Sequence, residues 1–137
     1  MSMTLNPYLS FRDTARPAME FYRSVFGGDL AIDTFAAYDM GQDPAENDLV
    51  MHAQLDTPRG FTLMASDTPG SLPYAPPAGF AVSLSGDDDR ELEGYWRALS
   101  DGGAITMPLE TPPWGGRFGM LTDRFGVDWM VSIAPQG

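Results

Sequence analysis

The stretch FYRSVFGG, from Phe21 to Gly28, has a counterpart in YWRALSDGG, from Tyr95 to Gly103. Each pairs two aromatics with an arginine, a small residue and an aliphatic, and each runs into paired glycines. An aspartate stands upstream of each, Asp13 and Asp87, closing a short strand-like segment. Aromatic and aliphatic residues at this spacing fall on one face of a helix, and glycine ends a helix cheaply because it adopts the left-handed C′ conformation. The duplication therefore predicts two copies of one module, each with a single amphipathic helix.

The flanking sequence completes the modules. Leu5–Phe11 alternates like a strand; Asp13 and Thr14 offer N-cap oxygens for a helix carrying Met19, Tyr22, Val25 and Phe26. Leu30–Tyr38, Leu49–Leu55 and Gly60–Asp67 follow as strands, the last two joined by a turn at Asp56–Arg59. Thr68–Gly79 is too rich in Pro and Gly for a helix or a central strand and reads as a connector. Phe80–Ser85 is the next strand. A helix then runs from the Asp87–Asp89 cluster, whose charges suit its N-terminus, through Leu92, Trp96 and Leu99. Ile105–Leu109, Arg117–Asp123 and Val127–Ile133 close the second copy. The order is β-α-β-β-β, twice: an α+β chain with modules at residues 1–67 and 80–137 and a connector at 68–79, all within one domain of 137 residues.

Composition removes several kinds of chemistry. The chain has no cysteine, so thiol catalysis, thiolate metal sites and disulfides are out. It has no lysine either, all eight basic residues being arginine, which excludes Schiff-base chemistry and a phosphate-loop lysine. A net charge of −11 disfavours nucleic acid and anionic membrane surfaces as partners. No apolar run reaches the length of a membrane span and no basic-then-apolar leader opens the chain, so the expected location is the cytoplasm.

A tandem β-α-β-β-β chain with these motifs resembles the vicinal oxygen chelate superfamily, which holds glyoxalase I, bleomycin-resistance proteins and extradiol dioxygenases. PYLSF (Pro7–Phe11), EFYRSVFGG (Glu20–Gly28), MHAQL (Met51–Leu55), LMASD (Leu63–Asp67) and DGGAITMPLETPPWGGRFGMLTDRFGVDWMV (Asp101–Val131) are similar to its PhnB-like branch. The resemblance implies mixed sheets curled around a cavity, helices on the outer face and a homodimer. It also implies, in many members, a divalent cation held by His, Gln or Glu of each first strand and a carboxylate of each fourth strand.

Carried onto this sequence, those ligand positions fall at Asn6 and Phe80 on the first strands and near Met64 and Met130 on the fourth. Amide, phenyl and thioether groups do not suit a hard or borderline divalent ion. A shift of one residue brings in no ligand, and only Asp67 and Asp128 lie nearby. The expectation is therefore no metal and no cofactor.

His52 is the sole histidine. On a strand it reads as a packed structural residue, as a polar group facing a ligand and acting as candidate general base, or as a metal ligand. Alternation puts His52 and Gln54 on one face and Met51, Ala53 and Leu55 on the other, so His52 and Gln54 are expected to face the cavity with Thr62 and Met64. Tyr8 and Ser10 should face inward by the same rule. Trp114 reads either as a clamp on a flat ligand or as a pin for its loop, and Arg117 as a partner for a carboxylate or phosphate or as a surface salt bridge.

The glycines of Trp114–Gly119 precede a strand and lack a lysine, so they make no phosphate cradle. A methyltransferase or phosphonate-metabolising role, labels that accompany this branch, finds no support: no glycine-rich strand-to-helix turn serves a nucleotide cofactor. The expected function is metal-free binding of a small molecule in an apolar cavity lined by Tyr8, Ser10, His52, Gln54, Met64 and Trp114, with Arg117 at its edge. The alternative is a metal-dependent lyase, isomerase or oxygenase built around His52.

Overall fold

The computed structural model describes residues 3–35, 48–69, 73–76, 78–113 and 115–135. The chain divides into two compact units, Met1–Pro76 and Pro77–Gly137. The first unit holds β1 (Tyr8–Phe11), α1 (Ala15–Phe26), β2 (Asp29–Thr34), β3 (Val50–Asp56) and β4 (Thr62–Asp67). The second holds β5 (Val82–Gly86), α2 (Asp89–Ser100), β6 (Ala104–Glu110), β7 (Arg117–Thr122) and β8 (Asp128–Ile133). The duplicated order predicted from the glycine-ended helices is present.

Each unit builds its own four-stranded mixed sheet, β1-β4-β3-β2 in the first and β5-β8-β7-β6 in the second, and neither is closed. β1 runs parallel to β4 and β5 parallel to β8, while the remaining pairs are antiparallel. A parallel neighbour requires a crossover, and the single helix of each unit supplies it.

Period-two alternation gives every strand one face for its helix. In the first unit Leu9, Phe11, Ala53, Leu55, Leu63 and Ala65 are buried with Ala15, Ala18, Met19, Tyr22 and Phe26 of α1. In the second, Leu84, Leu121, Trp129, Val131 and Ile133 are buried with Leu92, Trp96 and Leu99 of α2. The paired glycines have a second role besides ending the helices. A Cβ on Gly28 would collide with the Asp56 carbonyl oxygen, and one on Gly103 with that of Thr122, so only glycine lets the chain pass into the second strand of each unit.

α1 starts differently from the sequence expectation. Thr14 is its N-cap residue but makes no side-chain cap, and Asp13 sits at φ 69. The cap comes from the far end of the sheet: Asp67, 4% exposed, accepts from the Ala15 N–H at 2.9 Å and from the Val50 N–H at 2.9 Å. One buried carboxylate thus fastens the start of α1 and the start of β3 to the end of β4. In α2 the cap is local, Asp88 accepting from the Glu91 N–H at 3.0 Å.

The two units differ at their outer strand. α1 packs over β2, β3 and β4, whereas α2 packs over β5, β8 and β7 and leaves β6 standing off. β6 pairs with β7 through two register shifts, and Ile105 and Met107 remain about half exposed. A groove of roughly 810 Å³ lies between α2 and β6, with Trp96, Ile105, Leu109 and Arg117 among its walls. No described helix is long and apolar enough to cross a membrane.

Candidate functional site

The face of the first sheet turned away from α1 gathers most of the polar residues singled out in the sequence. Register places them in rows, because residues abreast on neighbouring strands share a face. Tyr8 of β1 is abreast of Met64 of β4, which is abreast of Gln54 of β3. One step along, Ser10 is abreast of Ser66, and His52 of β3 is abreast of Asp33 of β2.

Tyr8 and His52 meet across the strand that separates them. β1 and β3 lie two strand spacings apart, about 4.8 Å each, with β4 between. The Tyr8 Oη nevertheless sits 3.0 Å from His52 Nδ1, their rings 5.7 Å apart and tilted by 34°. Two long side chains leaning toward one another over β4 close that distance. Tyr8 is 50% exposed and His52 half-buried, so a ligand can reach the pair. The phenol fixes the imidazole by its Nδ1 edge, a geometry in which a third group orients a general base.

Gln54 shares this face, but its amide is engaged. Its Nε2 donates to Asp56 Oδ1 at 3.1 Å and to Oδ2 at 3.2 Å, and Thr62 Oγ1 donates to Asp56 Oδ1 at 2.9 Å. Gln54 therefore offers a ligand its carbonyl oxygen rather than its N–H groups. Met64 lies half-buried between Tyr8 and Gln54, an adaptable apolar floor. Ser10 is exposed beside Ser66.

Trp114 lies outside the described residues. Arg117 shares its side of β7 with Gly119 and Leu121, the side covered by α2. Its Nη1 donates to Asp89 Oδ1 at 2.7 Å and to Glu93 Oε2 at 3.4 Å. The Asp89 hydrogen bond raises the guanidinium's pKa, and the Arg97 and Arg117 hydrogen bonds hold the Glu93 carboxyl below its ordinary value. Arg117 is thus a tie between β7 and α2.

The positions at which the resemblance implies a divalent cation do not fit one. Register puts Tyr8 abreast of Met64 and Ser83 abreast of Met130. The Asn6 amide donates to Thr4 Oγ1, and Phe80 is a half-exposed phenyl ring. The nearby carboxylates are committed: Asp67 to two backbone N–H groups, and Asp128 Oδ1 to the Thr122 hydroxyl at 2.6 Å. Among the described residues no three His, Asp or Glu side chains converge to hold an ion. A phenol, a hydroxyl and two thioethers are poor donors for magnesium, manganese, iron or zinc.

Asp123, the other buried carboxylate, belongs to the turn before β8. It accepts from the Phe125 and Val127 N–H groups at 2.8 and 3.1 Å and from Trp129 Nε1 at 2.9 Å. Asp33 and Ser66 share this face with the candidate residues, and sequence reasoning passed them over. Alternation along β2 marks Asp33 as facing the same way as Ala31, but only the pairing of β2 with β3 brings it abreast of His52.

Comparison with known proteins agrees with the fold. Protein PA1353 of Pseudomonas aeruginosa superposes with a TM-score of 0.82 at 38% identity, covering 98% of this chain and all of that one. The PhnB protein of Bacillus cereus superposes at 0.71 with 25% identity, over 96% of this chain and 100% of its own. A glyoxylase/bleomycin resistance protein/dioxygenase domain from Frankia sp. shares the fold alone, at 0.67 with 16% identity over 100% and 95% of the chains. A family model described as 3-demethylubiquinone-9 3-methyltransferase matches residues 3–132. The fold does not suit the cofactor that description brings to mind: the β1-to-α1 turn is Arg12-Asp13-Thr14 and neither sheet is doubly wound. By that match over nearly its whole length, this chain belongs to the PhnB-like family described as 3-demethylubiquinone-9 3-methyltransferase, and it shares the fold of the glyoxylase/bleomycin resistance protein/dioxygenase domain.

Proposed function

We propose that this protein binds a small organic molecule on the helix-free face of its first sheet, without a resident metal, and that Tyr8 and His52 hold the ligand. The observation that carries the reading is the 3.0 Å bond between Tyr8 Oη and His52 Nδ1. It presents an oriented imidazole beside Met64 and the Gln54 carbonyl, polar groups gathered around one adaptable apolar side chain. Ser10 supplies a further hydroxyl along the rim. Arg117 supports β7 through its tie to Asp89 of α2. The chain acts as a homodimer in the cytoplasm; the half-exposed Ile105 and Met107 of β6 support an interface, and light scattering of the purified protein checks it.

A thermal-shift screen of small molecules tests the binding. A compound at a hundred times its Kd adds about 2.7 kcal/mol of stability. With an unfolding entropy of about 2.1 cal/mol/K per residue, a chain of 137 residues gains roughly 9 °C. The reading requires that this gain shrink strongly in Tyr8→Phe and vanish in His52→Ala. Compounds that stabilise all three proteins equally, or only when a divalent ion is added, would refute it.

A further inference from the structure

We infer that the ligand of this face carries an acidic hydroxyl, as a phenol or an enol does, and that His52 takes its proton. The inference rests on the binding face proposed above and adds the chemistry of what binds there.

Tyr8 occupies Nδ1 of His52, which leaves Nε2 as the ring nitrogen with no protein partner among the described residues. Among the described residues, the titratable groups abreast of or bonded to the imidazole are Tyr8 from β1 and Asp33 from β2, while β4 brings Met64 and Ser66 to that face. Asp33 is abreast of His52, and side chains so paired lie about 5 Å apart at Cβ.

Proton transfer then runs as follows. The neutral ring carries its proton on Nδ1, donated to Tyr8 Oη, so Nε2 is the free base: the O–H bond of the ligand breaks, an Nε2–H bond forms, and the electron pair stays on the ligand oxygen. The imidazolium donates through Nδ1–H to Tyr8 Oη and through Nε2–H to the new oxyanion, with Asp33 opposing its charge. Nothing is oxidised and no other reactant is needed.

The same face selects against other acids. Its charged strand residues are Asp29, Asp33 and Asp56, all carboxylates, with Asp29 abreast of Asp56. A carboxylic acid or phosphonate arrives already anionic and meets them unfavourably. An aliphatic alcohol holds its proton too tightly for an imidazole. A phenol or enol arrives neutral, with an acidity within a few units of imidazole's. Its flat body suits the half-exposed Tyr8 ring and the Met64 thioether.

The test uses a chromophoric phenol, 4-nitrophenol, whose ionised form absorbs in the visible, mixed with the intact protein at a pH about one unit below the phenol's own ionisation. Binding should raise the ionised fraction severalfold over free phenol. In parallel, both imidazole nitrogens of His52 should report protonation by ¹⁵N NMR. Asp33→Asn should weaken the band, and His52→Gln should abolish it while the melting curve stays that of a folded protein. Bound phenol that keeps its neutral spectrum overturns proton transfer but leaves the binding face standing. A face that binds carboxylates or phosphonates in preference to phenols overturns the ligand class, and an ionised band that survives in His52→Gln overturns the role of His52.

Discussion

Replacing Asp67 by asparagine asks whether the carboxylate that ends the first unit's fourth strand is structural. The exchange keeps shape and volume but turns one acceptor oxygen into an NH2 group. Asp67 is 4% exposed, and both oxygens accept, from Ala15 N–H and Val50 N–H, each at 2.9 Å. Asparagine satisfies one of these donors and faces the other with hydrogens. An unsatisfied buried donor costs about 1–3 kcal/mol, and the surviving bond loses roughly half its strength with the charge. The sum is about 2–4 kcal/mol. Treated as one cooperative transition of 137 residues, at about 2.1 cal/mol/K per residue, this lowers Tm by roughly 7–14 °C. Thermal and urea unfolding followed by circular dichroism measure it. A fall under about 3 °C, or the loss of a stoichiometric metal from the variant, would refute the structural reading of Asp67.

Three further substitutions probe other joints. Asp123→Ala strips the acceptor from the Phe125, Val127 and Trp129 donors and should cost about 3–5 kcal/mol in urea unfolding, with a change in tryptophan emission. Gly119→Ala places a Cβ 2.7 Å from the Trp96 ring and 2.9 Å from Leu109 Cα, so β6 or α2 must shift. The expected loss is about 1–3 kcal/mol, and an unchanged Tm would contradict that packing. Arg117→Met removes the cation bound to Asp89 and Glu93. Because Glu93's pKa is lowered in the fold, the stabilisation is present above the ordinary carboxylate range and is lost as pH falls through the depressed value. The wild type should therefore exceed the variant by a few degrees at neutral pH, less in high salt, and not at all in strong acid.

Particular residues mark how far the sequence could be read. The glycine-ended helices and the alternation of Ala53, Leu55, Leu63 and Ala65 made both modules and the sidedness of β3 and β4 legible, because burial of one face imposes a period that needs no coordinates. The Tyr8–His52 bond was not legible: the residues stand on strands with β4 between them, and only the parallel insertion of β1 beside β4 makes them neighbours. Asp67 read only as a carboxylate near the ligand position, and its capping role stayed hidden because its partners, Ala15 and Val50, are backbone groups far away in sequence. Gln54 was placed on the correct face, yet its amide is turned to Asp56 by a local contact that alternation cannot anticipate. Arg117 read equally as a ligand cation or a salt bridge, and the covering of that side of β7 by α2 makes it the latter.

The single histidine makes the central claim directly measurable, since every imidazole NMR signal of the chain belongs to His52. The decisive experiment follows those signals while a ligand found in the thermal screen is titrated into chelator-treated protein. The account predicts that His52 shifts in proportion to the bound fraction, equally with and without added zinc or manganese, and that Tyr8→Phe weakens the response. Ligand binding that leaves His52 unmoved, or that appears only once a metal is supplied, would contradict it.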